Sequence, residues 1–227
     1  MERSRAEVVQ SFLNLFEDPR YLEIGVNKGE TFHAVKAGTK VAVDPQFIFD
    51  VEACAKANPN ASYYQVTSDK YFGHIVTTND KFDVVYVDGL HTSEQTLRDI
   101  LNATEILAPK GVIVVDDVKP TTHLAAIPDR QTFFKVRSFL TLDEKSWMGD
   151  VFRVVYFIDT FMQQWSHRTV SDNHGQAVVW RNRRRQVSER TIVEVGGKTF
   201  EHFALEQSAF NLAPLDAIVA EVSENLV

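Results

Sequence analysis

Cysteine is nearly missing from this 227-residue chain: Cys54 stands alone, so no internal disulfide can form, and a reducing, cytoplasmic setting is expected. No apolar run approaches the roughly 18 residues that a membrane-spanning helix needs, and the first ten residues lack the apolar core of a secretion signal. Positive charge is also short, with 24 Lys and Arg against 31 Asp and Glu and a net charge of −7. Neither nucleic acid nor an anionic membrane is therefore expected as a partner. Internal repeats and low-complexity tracts are absent. What remains, 44% hydrophobic and 24% charged, suits one domain over 1–227 with a sizeable core. Its expected parts are an N-terminal helix in 1–19, a core over 20–181 and an extension over 182–227.

The most informative stretch runs from Arg20 to Pro45. Residues 21–24 read as a strand, Gly25 to Gly29 as a turn, and a helix follows before a second strand at 40–43 ends on Asp44. In such a β-turn-α-β unit, glycine lets backbone approach a ligand closely, and the later acid can bond both hydroxyls of a ribose. A nucleoside-containing cofactor is the first reading. The turn is Glu23-x-Gly25-x-x-x-Gly29, so one glycine of the dinucleotide pattern G-x-G-x-x-G is missing. A carboxylate at Glu23 suits a ligand with a cationic amino-acid end. This turn resembles motif I of the class I S-adenosylmethionine-dependent methyltransferases.

Strands and helices alternate onward. Val8, Val9, Phe12, Leu13 and Phe16 mark an amphipathic first helix over 4–16. A helix is expected at 49–57, a strand at 61–66, and then Thr67-Ser68-Asp69, where Ser68 and Asp69 either contact a cofactor adenine or cap the next helix. The strongly apolar strand 82–87 ends at Asp88-Gly89-Leu90-His91. A helix follows to Leu107, with Leu97, Ile100, Leu101, Thr104 and Leu107 on one face. Pro109-Lys110-Gly111 turns into strand 112–115, which ends on Asp116-Asp117. The alternation implies a Rossmann-like α/β fold with a doubly wound, mainly parallel sheet. Further on, 121–130 reads as a loop within a lid over about 119–145, and 150–163 as a helix. Two strands, 168–171 and 176–181, form a hairpin about Asp172-Asn173-His174-Gly175, and a last helix lies near 214–222.

Ligands bind beyond the carboxyl ends of strands in such sheets, and here those ends carry acids. Asp88, Asp116 and Asp117 would repel one another unless a cation lay between them. Oxygen donors of this kind favour a hard divalent ion, Mg²⁺ by default, with Mn²⁺ or Ca²⁺ as alternatives. The competing reading makes Asp88 and Asp117 caps of the elements that follow.

The blocks V-D-G-L-H-T-S-E-Q-T-L-R-D-I-L-N, G-V-I-V-V-D-D-V-K-P and W-M-G-D-V-F-R resemble bacterial class I O-methyltransferases of methyltransferase family 24. The resemblance spans about 21–181, and the catechol O-methyltransferase pattern is a more distant likeness. It implies a sheet closed by the C-terminal hairpin, and S-adenosylmethionine held by Glu23, Gly25, Gly29, Asp44, Ser68, Asp69 and Asp88. It also implies a divalent metal on Asp88, Asp116 and Asp117. His91 falls where the catechol pattern has a lysine base, and histidine suits that task, since its ordinary pKa of about 6.5 lies nearest neutrality. The implied reaction is O-methylation of a small hydroxylated molecule, a sugar or glycosylated natural product. Self-association into a homo-oligomer is compatible with the resemblance. The rival readings are an NAD-dependent oxidoreductase on the same opening unit, and a non-catalytic S-adenosylmethionine-binding protein.

The remaining polar residues carry blander expectations. His33 is structural, His123 belongs to the lid, His174 is a turn residue, and His167 and His202 have no evident partner. Cys54 is read as a small buried apolar residue, Asp150 as the cap of the helix it precedes, and Arg181 to Arg185 as a solvated strand end.

Overall fold

The computed structural model describes residues 2–77 and 79–226. Its strands are β1 (Arg20–Ile24), β2 (Thr39–Val43), β3 (Ala61–Tyr64), β4 (Phe82–Val87), β5 (Leu107–Val115), β6 (Trp165–Val170), β7 (Ala177–Arg181) and β8 (Leu212–Ala213). They form one sheet in the order β3-β2-β1-β4-β5-β7-β6-β8. The first five pair in parallel, and β7 runs antiparallel to both β5 and β6. The doubly wound sheet closed by a hairpin is thus observed. The short β8 adds a parallel edge beside β6, an element that two residues could not signal in the sequence.

Both faces of the central strands are covered, which is why they read as unbroken apolar runs. Leu22, Ile24, Val85, Val87, Ile113 and Val115 belong to the core on one face. That core is shared with α5 (Ser93–Ile106) and α7 (Arg153–Phe161). Their neighbours in sequence, Tyr21, Val84, Tyr86, Val112 and Val114, turn to the other face, covered by α1 (Arg5–Leu13) and α10 (Leu215–Leu226). Helix α1 starts at a capping box: Ser4 Oγ accepts from Glu7 N at 3.2 Å, and Glu7 Oε2 accepts from Ser4 N at 2.7 Å. Among the described residues no helix is long and apolar enough to cross a membrane.

Several expectations are corrected. The buried face of α5 is Thr96, Asp99, Ile100, Ala103 and Ile106, whereas Leu101 is exposed. The apolar spacing admitted two overlapping stripes, and packing on α7 selected the other one. Strand β5 begins at Leu107 rather than Val112: Leu107 pairs with Phe82, and the ladder resumes at Val112 opposite Val84. The intervening residues bulge outward. Within the lid lies an amphipathic helix, α6 (Arg130–Phe139), capped by Asp129, whose Oδ1 accepts from Thr132 N at 2.7 Å. Cys54 is half-buried on α3 (Val51–Ala57), with its Sγ 3.8 Å from His33 Nε2.

The basic run is only partly solvated. Arg184 is largely buried; it donates to Asp159 Oδ1 at 2.9 Å and to the carbonyls of Ile158 and Trp165, closing the C-terminal end of α7. His167 Nε2 donates to the Ala209 carbonyl of the C-terminal segment at 3.1 Å. His202 Nδ1 accepts from Thr199 N at 3.1 Å, capping the helix that Thr199 precedes.

Asp150 makes no side-chain cap for α7; it serves the start of α5, whose own cap is Thr92. Its Oδ1 accepts from Ser93 N at 2.7 Å, its Oδ2 accepts from Ser93 Oγ at 3.0 Å, and Arg153 pairs with it at 2.5 Å. The carboxylate therefore ties the start of α7 to the start of α5. Asp150→Ala leaves the Ser93 N–H and the Arg153 guanidinium without that partner, so a loss of about 1–3 kcal/mol is expected. Thermal unfolding should show a melting point several degrees lower; an unchanged value would refute the tie.

Candidate active site

Four backbone hydrogen bonds bring the strand-end residues to one edge. Gly25 N donates to the Val43 carbonyl, Asp44 N to Tyr64, Asp88 N to Ile24 and Asp116 N to Val87, at 2.8–3.2 Å. Each of these residues is the first beyond its strand and is held by the last carbonyl of a neighbour. Gly25, Asp44 and Asp88 of these open onto a cavity of about 670 Å³, lined also by Glu23, Ser68 and His91 among others.

The turn after β1 leaves no room for side chains. Gly25 has φ +85°, and a Cβ there would run into the backbone carbonyl of Asp88. Gly29, at φ +77°, starts the short helix α2 (Glu30–Ala34), and a Cβ there would strike the His33 ring. Asp44 reaches back to the turn: Oδ2 accepts from Asn27 N at 2.8 Å, and Oδ1 from Gln46 N at 2.7 Å. Both oxygens are thereby fixed in orientation, and each keeps acceptor capacity for a ligand diol.

Glu23 is buried at the floor and accepts a 2.5 Å hydrogen bond from Tyr21 Oη. Burial pushes its carboxyl up to about 8, against the opposing pull of Tyr21 and Lys40. At the other end of the cavity, Ser68 and Asp69 open α4 (Ser68–His74), but the cap of that helix is Thr67, whose hydroxyl accepts from Lys70 N. Gln95 of α5 unites this wall, donating to Ser68 Oγ and Asp69 Oδ1, both at 3.2 Å, and to Asp99 Oδ1 at 3.0 Å. Asp69 is further held by Arg98 at 2.8 Å. Nothing in the sequence pattern singled out Gln95, because its role depends on two elements meeting.

Asp88, Asp116 and Asp117 do converge, and they do so together with two histidines and an arginine. His91 Nδ1 lies 2.7 Å from the Trp147 carbonyl and 2.9 Å from Asp117 Oδ2. A carbonyl only accepts, so Nδ1 carries the hydrogen, and in the neutral ring the lone pair sits on Nε2. That atom is 3.7 Å from Asp88 Oδ1. The imidazole stacks on the Trp147 ring at 4.8 Å and 11°, and Trp147 Nε1 donates to the Ile127 carbonyl at 2.7 Å. Gly149, at φ +62°, permits this approach, since a Cβ there would overlap the His91 carbonyl. Arg130 of the lid helix lies over the outer face of Trp147 at 5.8 Å.

Asp117 sits at φ +60°, a left-handed conformation costly for a residue with a side chain. Asp116 is buried in contact with Arg5 Nε, and its Oδ1 lies 3.0 Å from His174 Nε2. His174 therefore belongs to the site as well as to its hairpin. Its neighbours in sequence gave no sign of this, and nothing in the sequence pattern singled out Arg5. Burial raises the Asp88 carboxyl well above the usual range, with Asp116 and Asp117 adding to it. For Asp116 burial acts upward too, but His174 and Arg5 prevail and hold it low. Burial disfavours charge on His91, yet Asp117 outweighs it and raises the imidazole above its ordinary value.

These donors suit a divalent cation. Asp88, His91 and Asp117 each offer one atom within 4.8 Å of the others, and so do Asp116, Asp117 and His174. The expected carboxylate trio is thus divided into two groups that share Asp117. Both oxygens of Asp116 are buried without a well-aligned hydrogen bond, which leaves acceptor capacity for an ion.

The same cavity brings Glu23, the Gly25 turn and Asp44 together. An ammonium beside Glu23 would favour the ionised carboxylate and expel its proton. Binding of S-adenosylmethionine should therefore release a proton near neutral pH and tighten as pH rises toward about 8. Calorimetry in buffers of different ionisation enthalpy measures the release directly. Glu23→Gln should abolish it, and a buffer-independent heat in the unmodified protein would contradict the assignment.

Residues 22–118 match the methyltransferase family 24 model, described as a methyltransferase domain. No curated protein matches the chain. Among solved structures, a Staphylococcus aureus protein described as a caffeoyl-CoA O-methyltransferase superposes with a TM-score of 0.53 at 11% identity, covering 80% of this chain and 85% of its own. A Corynebacterium glutamicum protein gives 0.53 at 10% identity, covering 82% and 84%. A Klebsiella pneumoniae protein described as an O-methyltransferase gives 0.50 at 14%, covering 78% and 80%. At such identities the likeness is one of fold. Residues 22–118 are thus similar to a methyltransferase domain, and the sheet has the Rossmann-like fold seen in class I S-adenosylmethionine-dependent methyltransferases.

Proposed function

We propose that the protein methylates a hydroxyl group of a small molecule, most consistent with a sugar or glycosylated natural product, and that a divalent cation assists. The observation that carries this reading is the orientation of His91. Its Nδ1 hydrogen is committed to the Trp147 carbonyl and Asp117, so Nε2 is the atom free to take a proton, beside Asp88 and the Gly25 turn. S-adenosylmethionine, when bound, supplies a sulfonium methyl as the electrophile. The turn from Gly25 to Gly29 would let it approach the backbone closely, Asp44 would accept from a ribose diol, and Glu23 would answer an ammonium.

A divalent ion would be held by Asp116 and Asp117 beside His174, or by Asp117 with Asp88, and its contribution would be to acidify and orient a hydroxyl. Nε2 of His91 accepts the hydroxyl proton, and Asp117 then stabilises the imidazolium. Leu90 and Arg130 line the same cavity and would help to align the acceptor, from which much of a transfer rate derives.

The test begins with titration of S-adenosylmethionine and S-adenosylhomocysteine, followed by a labelled-methyl assay over sugars and polyols with and without Mg²⁺. Binding of both nucleosides and chelator-sensitive transfer are expected. Binding of NAD in their place would overturn the reading, and chelator-resistant transfer would remove the metal from it. His91→Ala should lower turnover about 10²- to 10⁴-fold with cofactor affinity nearly unchanged.

The pH dependence follows from the same contact. Because Asp117 raises the His91 pKa, the neutral base appears only above the ordinary imidazole value of about 6.5. Turnover should therefore climb with pH through a limb displaced to the alkaline side of that value. Asp117→Asn should move the limb toward acid; a limb that stays put means another group is the base.

A further inference from the structure

Arg5 reaches the acidic cluster from outside the matched methyltransferase domain. Ser4 caps α1 and fixes its first turn, so the Arg5 side chain extends over the ends of β4 and β5. Arg5 Nε contacts Asp116 Oδ2, and the terminal nitrogen Nη2 lies 3.8 Å from Asp117 Oδ1. Nε also lies 3.1 Å from His174 Nε2. The guanidinium lines the same cavity as Asp88 and His91.

Charge balance gives this placement its meaning. Asp88, Asp116 and Asp117 face one permanent cation, Arg5, and two imidazoles. Neither oxygen of Asp116, a residue only 2% exposed, makes a hydrogen bond; ion-pair contacts alone hold it. Such a carboxylate has capacity for a better-fitting cation. A guanidinium and a dication cannot both lie against it, because their repulsion at a few ångströms far exceeds thermal energy even at an effective dielectric of about 20. Arg5 is 41% exposed, so its long stem gives it a route to solvent when displaced.

We propose that Arg5 is the resident counter-cation of this cluster and competes with a divalent ion for Asp116 and Asp117, so that α1 sets the metal affinity of the site. The inference takes its metal from the proposed function but does not depend on the methyl acceptor. It assigns α1 a part in the chemistry that the matched domain alone would not contain. Arg5 acts here as a positioning residue, holding the two carboxylates apart from one another and in place until the ion arrives.

The experiment is a titration of the full chain with Mn²⁺ alone, without cofactor, following free Mn²⁺ by electron paramagnetic resonance. Arg5→Ala and Arg5→Gln should each bind Mn²⁺ at least about tenfold more tightly than the unmodified chain, since a repelling charge is gone. Arg5→Lys keeps the charge and should stay within about threefold of the unmodified chain. Titration with S-adenosylmethionine reports whether each variant retains its fold. Equal or weaker Mn²⁺ binding in both neutral variants overturns the proposal, as does absence of binding in every form. Binding by the neutral variants but not by the unmodified chain upholds the competition while ending metal assistance for the native protein. Metal binding strengthened as expected, alongside chelator-resistant methyl transfer, likewise separates the two readings.

Discussion

Four backbone hydrogen bonds at one edge of the sheet hold the site together. A parallel ladder staggers its strands so that the first residue beyond one strand meets the last carbonyl of the next. Gly25, Asp44, Asp88 and Asp116 are caught in that way, and the Gly25 Cα consequently lies against the Asp88 carbonyl. No side chain could be accommodated there. The pocket is therefore a property of the ladder before it is a property of any functional group.

That arrangement creates an electrostatic difficulty and meets it with residues distant in sequence. Three carboxylates crowd the ends of β4 and β5, where burial makes each charge costly. The answering groups arrive from α1, from the β6–β7 hairpin and from the loop after β4. Arg5 and His174 meet Asp116, whereas His91 meets Asp117. The balance explains why neighbouring carboxyls respond differently: Asp88, without a close permanent cation, is driven up, and Asp116 is held down. Positive φ at Asp117 is consistent with the same demand, since an extended residue there would direct its carboxylate elsewhere.

Orientation of the base is likewise a tertiary matter. His91 owes its tautomer to a carbonyl 56 residues further along the chain. Trp147 is held by the Ile127 carbonyl, and Gly149 lets its segment lie against the His91 backbone. Asp150 then fastens this segment to the N-terminus of α5. The lid is thus anchored at the helix that begins just beyond His91, so any shift of the lid acts directly on the imidazole.

Local patterns sufficed for much of this. Alternating apolar strands and helices announced the parallel sheet, because burial on both faces demands continuous hydrophobic runs. The spacing of Glu23, Gly25, Gly29 and Asp44 located the turn, because a close backbone approach excludes side chains wherever it occurs. The acids after β4 and β5 marked the edge where chemistry gathers. What one-dimensional spacing could not express was which distant groups would answer them. Arg5, Gln95 and His174 are ordinary residues in their own elements, and Asp150 bonds the start of a helix 57 residues away rather than its own. The choice between two apolar stripes on α5 and the small strand β8 depended on neighbours in the same sense. Sequence determined the scaffold and the positions of the charges, since those follow from local backbone preference and burial. Tertiary structure alone decided their partners, because opposite charges and hydrogen bonds act through distance in space, which spacing along the chain does not record.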